Sequence, residues 1–301
     1  MGYFDLQVNG YAGVDFNQDD LTADQLHHAC EQLANDQVDG ILATIITEDV
    51  PVMVRRLSNL AALREADTLA QRVIRGIHIE GPFLNEQAGY RGAHPLDAIR
   101  PADDEAMKRL LDAAQGLTKL VTLAPERDAD LKVTKFLCDC GVTVAAGHSD
   151  ATLDELKAAI DAGLTMWTHL GNGCPMQMPR HDNVIQRALS LSDRLWLCFI
   201  ADGVHVPFFA LKNYLRTAGL EHCIVVTDAI APAGLGPGRY TLGRWELDIG
   251  SDMVARAPDG SHLVGAAITM PQSAANLHEH LKLSAEAIQL LTSANPERAL
   301  L

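Results

Sequence analysis

Three residues with side chains that bind metal ions each follow directly on an apolar run of the chain. They are Glu80, His148 and His169, and the runs before them are 72–79, 142–147 and 164–168. One carboxylate and two imidazoles suit a catalytic zinc ion with one open coordination position. The same set accepts Fe²⁺, Mn²⁺ or Co²⁺ less selectively. Taken singly, each histidine is as readily a core or surface side chain, so the prediction of a metal centre depends on the three together.

Asp228 stands in the same position after the apolar run 223–227 and is the candidate general base. A zinc ion lowers the pKa of its water to about 7, and an adjacent aspartate can accept the proton and later return it to a leaving amine. The alternative interpretation is a turn or helix-capping aspartate, because the sequence Ala-Ile-Ala-Pro follows it at 229–232.

The elements that must position these residues alternate along the chain. Eight units can be counted in which a short apolar run is followed by a segment of helical periodicity. This alternation predicts an α/β fold, a (β/α)8 TIM barrel, in a single domain over residues 1–301. The C-terminal ends of all eight strands meet at one mouth of such a barrel, so the three metal-binding residues and Asp228 are expected to converge there.

Four further segments refine this prediction. Thr22 and Gln25 form a capping-box pattern before a helix over 21–35, and another helix is expected over 50–71. The segment 84–100 is too long for a mere connection and is a candidate lid or binding loop. Residues from about 238 to 265 alternate and carry turn signals, which predicts a small β insertion of two or three strands after the eighth strand.

Composition excludes several classes of partner. The formal net charge of −15 argues against nucleic acid and anionic membranes as partners, so an anionic substrate would need a local cationic pocket. No apolar run is long enough to span a membrane, and no signal peptide is evident. The six cysteines are scattered without a C-x-x-C pair, which is typical of buried thiols in a reducing cytoplasm.

An ordered set of motifs at the expected strand ends resembles the amidohydrolase superfamily, and within it the N-acetylglucosamine-6-phosphate deacetylases. No single motif is specific, but their order is, and they run along most of the chain. The motifs are DLQVNG at 5–10, HIEGPF at 78–83, GAHP at 92–95, LAPE at 123–126, AGHSD at 146–150, THLGN at 168–172, ADGVH at 201–205 and VTDA at 226–229.

The resemblance implies a TIM barrel of the metal-dependent hydrolase type and roles for individual residues. Glu80, His148 and His169 match the metal ligands of the family, and Asp228 matches its catalytic acid and base. His94 matches the histidine that contacts the substrate amide carbonyl. The residues similar to sugar and phosphate contacts are Asn172, the Gly173 backbone, Arg180 and His205.

The family's arginine at the position of Arg180 reaches the neighbouring subunit, so the resemblance also implies a homodimer. Arg180 and His205 would provide the local cationic pocket that a phosphosugar needs. From the residues alone, Arg180 is as readily a solvated loop charge, and His94 is as readily a loop residue without a function.

The first departure from the family concerns the first strand. Most of the superfamily carries H-x-H there and binds a second metal ion, whereas residues 7–9 read Gln-Val-Asn. Amides are poor zinc ligands, so we expect one divalent ion per subunit. The alternative role for Gln7 and Asn9 is to hold the first strand in place by hydrogen bonds.

The second departure concerns a β-sandwich that family members build from segments before and after the barrel. This chain begins at the first strand and ends after the sequence Asn-Pro-Glu-Arg-Ala at 295–299, so we expect the sandwich to be largely absent. Apolar surface that it normally covers would then be exposed or would contact a partner.

The activity implied by the resemblance is hydrolysis of an amide bond. The expected reaction converts N-acetylglucosamine 6-phosphate to glucosamine 6-phosphate and acetate, in amino-sugar catabolism in the cytoplasm. One alternative is a deacetylase for another N-acetylhexosamine phosphate of the galactosamine type. The other is an inactive protein that only binds a phosphosugar.

Overall fold

An eight-stranded parallel sheet forms the centre of the molecule, in which each strand is hydrogen-bonded to the next one along the chain. The computed structural model describes residues 2–257, 259–260 and 262–300. The first and eighth strands meet through a parallel bridge between Val8 and Ala229, which closes the sheet into a barrel. The strands are β1 Tyr3–Val8, β2 Val38–Ile46, β3 Ile74–Glu80, β4 Thr118–Leu123, β5 Thr143–Ala146, β6 Met166–Trp167, β7 Trp196–Ile200 and β8 Cys223–Val226. The predicted (β/α)8 barrel is confirmed.

Helices surround the barrel, and several begin at a capping residue that can be recognised in the sequence. Thr22 and Gln25 form the predicted capping box of the first helix, and Thr152 and Glu155 form another before the sixth. The helices are α1 Ala23–Asn35, α2 Val50–Glu65, α3 Thr68–Val73, α4 Asp104–Ala113, α5 Lys132–Asp139, α6 Leu153–Asp161, α7 Val184–Leu189, α8 Phe208–Ala218, α9 Met270–Leu281, α10 Ala285–Gln289 and α11 Asn295–Arg298, with a π-helical turn at Leu290–Ala294.

The prediction of one helix over 50–71 was wrong, because the segment forms two helices. α2 ends at Glu65 and α3 begins at Thr68. Between them, the Asp67 side chain accepts hydrogen bonds from the backbone N–H groups of Leu69 and Ala70. An aspartate at this position satisfies the free donors of a new helix, so it favours a break where apolar periodicity alone predicts continuity.

Apolar side chains fill both sides of the sheet. One cluster inside the barrel takes residues from most strands, among them Phe4, Leu42, Leu120, Met166 and Ile224. A larger cluster packs the outward side chains of the strands against the helices. On β3 the partners of Leu42, Thr44 and Ile46 are Gly76, His78 and Glu80. This strand therefore brings two polar side chains, His78 and Glu80, toward the barrel axis, where Thr44 and Thr122 of the neighbouring strands lie beside them.

The predicted insertion after the eighth strand contains one antiparallel hairpin. Its strands are β9 Gly238–Leu242 and β10 Trp245–Ile249, and an isolated bridge joins Arg256 to Leu263. Pro258 and Ser261 of the predicted insertion lie outside the described residues. The segment 84–100 contains turns and no helix or strand, as predicted for a loop. In the described part of the chain, no helix is long and apolar enough to cross a membrane.

Candidate active site

The three predicted metal-binding residues meet at the mouth of the barrel. Nε2 of His169 lies 3.0 Å from Oε1 of Glu80, and Nε2 of His148 lies 3.3 Å from the same oxygen. All three side chains are buried, and their donor atoms lie within 4.8 Å of one another. Within the described residues, these three side chains form a group that is compact enough to hold a metal ion. The convergence expected from the strand ends is therefore present in the fold.

Strained backbone conformations occur at three of the predicted residues. His148, His169 and Asp228 have φ angles of 50°, 28° and 53°, in the left-handed region that residues with a Cβ rarely adopt. Each follows the end of a strand, where the chain must turn sharply away from the barrel. Residues held in such conformations cluster at active sites, where the surrounding structure fixes them. Three of the four residues that the sequence singled out at strand ends therefore have this conformation, while Glu80 does not.

The orientation of His148 leaves one ring nitrogen free to bind a cation. Its Nδ1 donates a hydrogen bond of 2.8 Å to the carbonyl oxygen of Tyr90, so Nε2 is the ring nitrogen that is left to bind a cation. Two glycines with positive φ, Gly92 and Gly173, lie close to the ring. A Cβ at Gly92 would lie 3.0 Å from His148 Cε1, and one at Gly173 would lie 2.9 Å from His148 Nδ1. Side chains at these positions would push the imidazole out of place.

The electrostatics of Glu80 fit a bound cation. Burial alone would raise the pKa of this carboxyl group, but its contacts with His148 and His169 hold the pKa well below its usual range. In turn, burial opposes the charged form of His169, while the bond to Glu80 raises the pKa of this histidine above its ordinary value. The site therefore favours the ionised Glu80 carboxylate, which faces the ring nitrogens of the two histidines. A divalent cation at this point would bind to both kinds of ligand.

Gln7 on β1 fixes the second oxygen of the Glu80 carboxylate. Its side-chain nitrogen donates a hydrogen bond of 3.2 Å to Glu80 Oε2, and its side-chain oxygen accepts one of 2.7 Å from Thr168 Oγ1. Oε1 of Glu80 is thereby directed to the two histidines. The sequence offered, as an alternative to metal binding, that Gln7 holds the first strand in place by hydrogen bonds. In the structure its hydrogen-bond partners are Glu80 and Thr168.

Asn9 and Asp228 face each other across the junction of the first and eighth strands. The Asn9 side-chain amide donates a hydrogen bond of 2.7 Å to Asp228 Oδ1. Burial, followed by the negative charge of Glu80, raises the pKa of Asp228 to about 6, against the opposing effect of His169 and His205. A carboxyl group with such a pKa can both accept and release a proton near neutral pH.

His94 reaches the metal-binding group from the long loop. Its Nε2 lies 3.1 Å from His148 Nε2. Burial, followed by the charge of His148, lowers the pKa of His94 to about 3, so the ring is neutral. Within the described residues its Nδ1 is buried without a hydrogen-bond partner. The loop thus delivers a neutral N–H donor to the site.

His78 lies deeper in the barrel on the same face of β3 as Glu80. Its Nε2 lies 2.8 Å from Thr122 Oγ1 and its Nδ1 lies 3.4 Å from Thr44 Oγ1. Burial lowers the pKa of His78 to about 4. His78 therefore stands as a neutral side chain beneath the metal-binding group and is not one of its members.

The structure brings only some of the predicted sugar and phosphate contacts to the barrel mouth. Gly173 lies against His148, and Asn172 donates a hydrogen bond of 3.2 Å to the carbonyl oxygen of His169. His205 donates from Nδ1 to Asp202 Oδ2 over 2.6 Å and is close enough to affect the pKa of Asp228. Arg180 is exposed, and no hydrogen bond or ion pair joins it to another described residue.

Glu126 ends the LAPE motif at 123–126, but the sequence analysis gave it no role. Its carboxylate accepts hydrogen bonds from Asn85 Nδ2, Ser149 Oγ and the Asp150 N–H, at 2.8, 2.7 and 2.6 Å. These bonds hold the turn that carries His148. Glu126 follows soon after the end of β4, so its position at a strand end was the signal that could have identified it.

The comparisons with known proteins agree with this geometry. No family model matches the chain. It is 31% identical over 301 residues to the N-acetylglucosamine-6-phosphate deacetylase of Bacillus subtilis, a match that covers 99% of this chain and 74% of that protein. It is also 31% identical over 299 residues to the N-acetylgalactosamine-6-phosphate deacetylase of Escherichia coli O157:H7, covering 99% of this chain and 77% of that protein.

A solved structure has the same fold over nearly the whole chain. A mutant of the N-acetyl-D-glucosamine-6-phosphate deacetylase of Mycobacterium smegmatis, in complex with N-acetyl-D-glucosamine-6-phosphate, matches with a TM-score of 0.89 and 33% identity. The match covers 99% of this chain and 77% of that one. The deacetylase of Thermotoga maritima matches with a TM-score of 0.86 and 26% identity, over 99% of this chain and 78% of that one.

Proposed function

Because the chain belongs to the N-acetylglucosamine-6-phosphate deacetylase family, we propose that it hydrolyses N-acetylglucosamine 6-phosphate to glucosamine 6-phosphate and acetate. The observation that supports this most strongly is the meeting of Glu80, His148 and His169 with His94 and Asp228 at one barrel mouth. Hydrolysis of an amide needs an activated water, a polarised carbonyl group and a proton for the leaving amine. These residues can provide all three.

We propose that Glu80, His148 and His169 hold one divalent ion, with zinc as the favoured identity and Fe²⁺, Mn²⁺ or Co²⁺ as alternatives. When bound, such an ion acts as a Lewis acid that polarises a carbonyl group and lowers the pKa of water. The amides of Gln7 and Asn9 donate hydrogen bonds to Glu80 and Asp228. These bonds support a single ion, because both amide side chains of the first strand are hydrogen-bonded to carboxylates and do not bind a second ion.

Asp228 is the proposed acid and base. It takes the proton of the attacking water and returns it to the nitrogen as the C–N bond breaks. The bond from Asn9 to Oδ1 leaves Oδ2 of Asp228 for this transfer. His94, whose Nε2 faces His148 in this structure, is the proposed N–H donor to the oxygen of the substrate amide, where negative charge develops.

Asn172, the Gly173 backbone, His205 and Arg180 are the proposed contacts to the sugar phosphate. The first three lie around the metal-binding group, while Arg180 is on the exposed loop that follows β6. Met176 on the same loop is fully exposed. We propose, from the family resemblance, a homodimer in which the exposed Arg180 reaches the partner's substrate phosphate.

The experiment that tests the proposal is acetate release from N-acetylglucosamine 6-phosphate by the metal-loaded protein. We expect turnover that disappears on chelation and returns when zinc is added. The matched control is Glu86→Gln, since Glu86 is an exposed acid on the loop that contains His94. Absence of acetate release from protein that contains one ion per chain would contradict the proposal and favour a protein that only binds a phosphosugar.

A second candidate substrate is N-acetylgalactosamine 6-phosphate, because a deacetylase for that sugar is as similar in sequence as the glucosamine type. The two sugars differ in the orientation of one hydroxyl group. A ratio of kcat/KM for the two substrates decides between them, since a pocket that hydrogen-bonds one hydroxyl rejects its epimer strongly.

We further propose that residues 1–301 form one catalytic domain with the insertion at about 238–265, and that the protein acts in the cytoplasm. The closed barrel supports the first part. The six free cysteine thiols and the net charge of −15 support a reducing compartment and no contact with nucleic acid or anionic membranes. Limited proteolysis and cell fractionation test the two parts.

A further inference from the structure

The turn of the β9–β10 hairpin contacts the loop that carries His94. Trp245 Nε1 donates a hydrogen bond of 2.9 Å to the carbonyl oxygen of Ala93, the residue before His94. Arg244 Nη1 forms a two-oxygen contact with the Asp97 carboxylate, at 3.0 Å to each oxygen. The hairpin therefore holds the loop on both sides of the histidine.

The loop has little regular structure of its own to fix His94. Residues 84–100 form turns, and the His94 N–H bonds to the carbonyl oxygen of Arg91 within the same loop. Among the described residues, the only side-chain partner of the His94 ring is His148, since Nδ1 is buried and unpaired. The position of the imidazole must therefore come from packing and from contacts at the ends of its own segment.

The hairpin is itself fixed to the barrel, so it can serve as a rigid support. The Gly243 N–H donates a hydrogen bond of 2.6 Å to Asp15 Oδ2, beyond the end of β1. Arg244 also pairs with Glu48, just beyond the end of β2, through its Nε at 2.9 Å and through a second contact from Nη2. Leu242 and Leu247 pack with Ile46 in one apolar cluster, against which Ala93 also lies.

We propose that Trp245 and Arg244 are positioning residues for His94, and that the inserted hairpin sets the place of the amide-polarising donor. The inference rests on the proposed function, in which His94 contacts the amide oxygen of the substrate. The hairpin contacts the Ala93 carbonyl oxygen and the Asp97 side chain of the loop. It therefore acts through the position of His94 and does not contact the reacting atoms. Loss of the indole donor would let the segment around Ala93 shift.

A double-mutant cycle separates this role from general stability. Trp245→Phe keeps an aromatic ring, although a smaller one, and removes the donor. We expect kcat to fall about tenfold with little change in KM, because a reacting group displaced by about 1 Å can cost 10²-fold. In a His94→Ala background, Trp245→Phe should have no further effect on kcat. Asp97→Asn, at an exposed side chain, tests the Arg244 contact from the loop side and should give a smaller fall.

The matched control is Tyr240→Phe, which also removes one aromatic donor to a carbonyl oxygen, but within the hairpin segment. It should leave kcat unchanged. Hydrogen–deuterium exchange gives a readout that does not need turnover. Trp245→Phe should increase exchange in 84–100 and Tyr240→Phe should not.

Three outcomes are distinguishable. Equal losses of kcat from Trp245→Phe with and without His94, or unchanged exchange in 84–100, would overturn the inference while leaving the proposed function in place. A wild-type protein that releases no acetate would overturn the proposed function, and the exchange result would still decide whether the hairpin orders the loop.

Discussion

The side-chain amide of Asn9 donates a hydrogen bond of 2.7 Å to Oδ1 of Asp228, across a sequence separation of 219 residues. This bond joins the end of the first strand to the residue that follows the eighth. It spans the seam where the barrel closes, beside the bridge between Val8 and Ala229. Closure of the barrel and orientation of the candidate acid and base are therefore one structural feature.

Asn9→Ala should lower kcat about tenfold without loss of metal, because Asp228 would lose the donor that orients it while Glu80 keeps its own partner Gln7. The measurement is kcat for acetate release alongside metal content. Asn9→Asp should be more damaging, since it places a second carboxylate against Asp228. A parallel loss of metal in Asn9→Ala would contradict this division of roles.

Glu80→Gln should abolish tight metal binding, because the site would lose its only charged ligand. His78→Gln should weaken binding on the order of tenfold, the scale of effects from residues that support ligands. His78 contacts Thr44 and Thr122 beneath the site, so it acts indirectly. Competition with a chromogenic chelator measures both affinities. Equal effects of the two substitutions would show that His78 is itself a ligand.

Asp228→Asn should reduce kcat by roughly 10²- to 10⁴-fold, the usual contribution of a general acid and base. The fold should be retained, since an amide oxygen at this position can still accept the hydrogen bond from Asn9. Steady-state acetate release at saturating metal and substrate measures the loss of kcat, with Tm as the check on folding. Near-normal turnover in this variant would remove Asp228 from the mechanism.

Asp5 should make stability depend on pH. Burial, partly offset by hydrogen bonds from Thr227 and Gln7, raises the pKa of Asp5 to about 7. The native state then holds a proton that the unfolded state has released above pH ~4, so stability falls as pH rises from about 4 to 7. Asp5→Asn should remove on the order of 2–4 kcal/mol of this decline in the free energy of unfolding.

Urea unfolding at pH 5 and pH 8 measures the difference between wild type and Asp5→Asn. The exposed Asp20→Asn provides the control and should leave the pH dependence unchanged. A pH dependence that is the same in wild type and Asp5→Asn would show that Asp5 is ionised in the folded protein across this range.

Arg180 offers a test of the proposed dimer by subunit mixing. Arg180→Ala should raise KM for the phosphosugar about tenfold or more, because it removes a charge-assisted contact to phosphate. If Arg180 acts across the interface, mixing Arg180→Ala with Asp228→Asn subunits creates some sites that carry neither change. At substrate concentrations below KM, activity should then exceed that of either variant alone. No recovery in verified mixed dimers would show that Arg180 acts within its own subunit or not at all.

Local sequence patterns predicted most of the architecture. Apolar runs followed by helical periodicity indicated eight strand-plus-helix units, and the structure has the eight-stranded parallel barrel. Thr22 and Gln25 predicted the start of the first helix. The same reasoning missed the break at Asp67, because a side-chain cap competed with apolar periodicity over a few residues.

The sequence by itself also determined which residues could do chemistry, since Glu80, His148, His169 and Asp228 all lie at or just after strand ends, and parallel strand ends meet in a barrel. Only the tertiary structure decided how these residues are held. The bonds from Gln7 to Glu80 and from Asn9 to Asp228 join segments 73 and 219 residues apart. The placement of His94 under the hairpin turn is likewise a contact between distant segments, from Trp245 to Ala93. Such contacts depend on strand register and on closure of the barrel, which no local periodicity encodes.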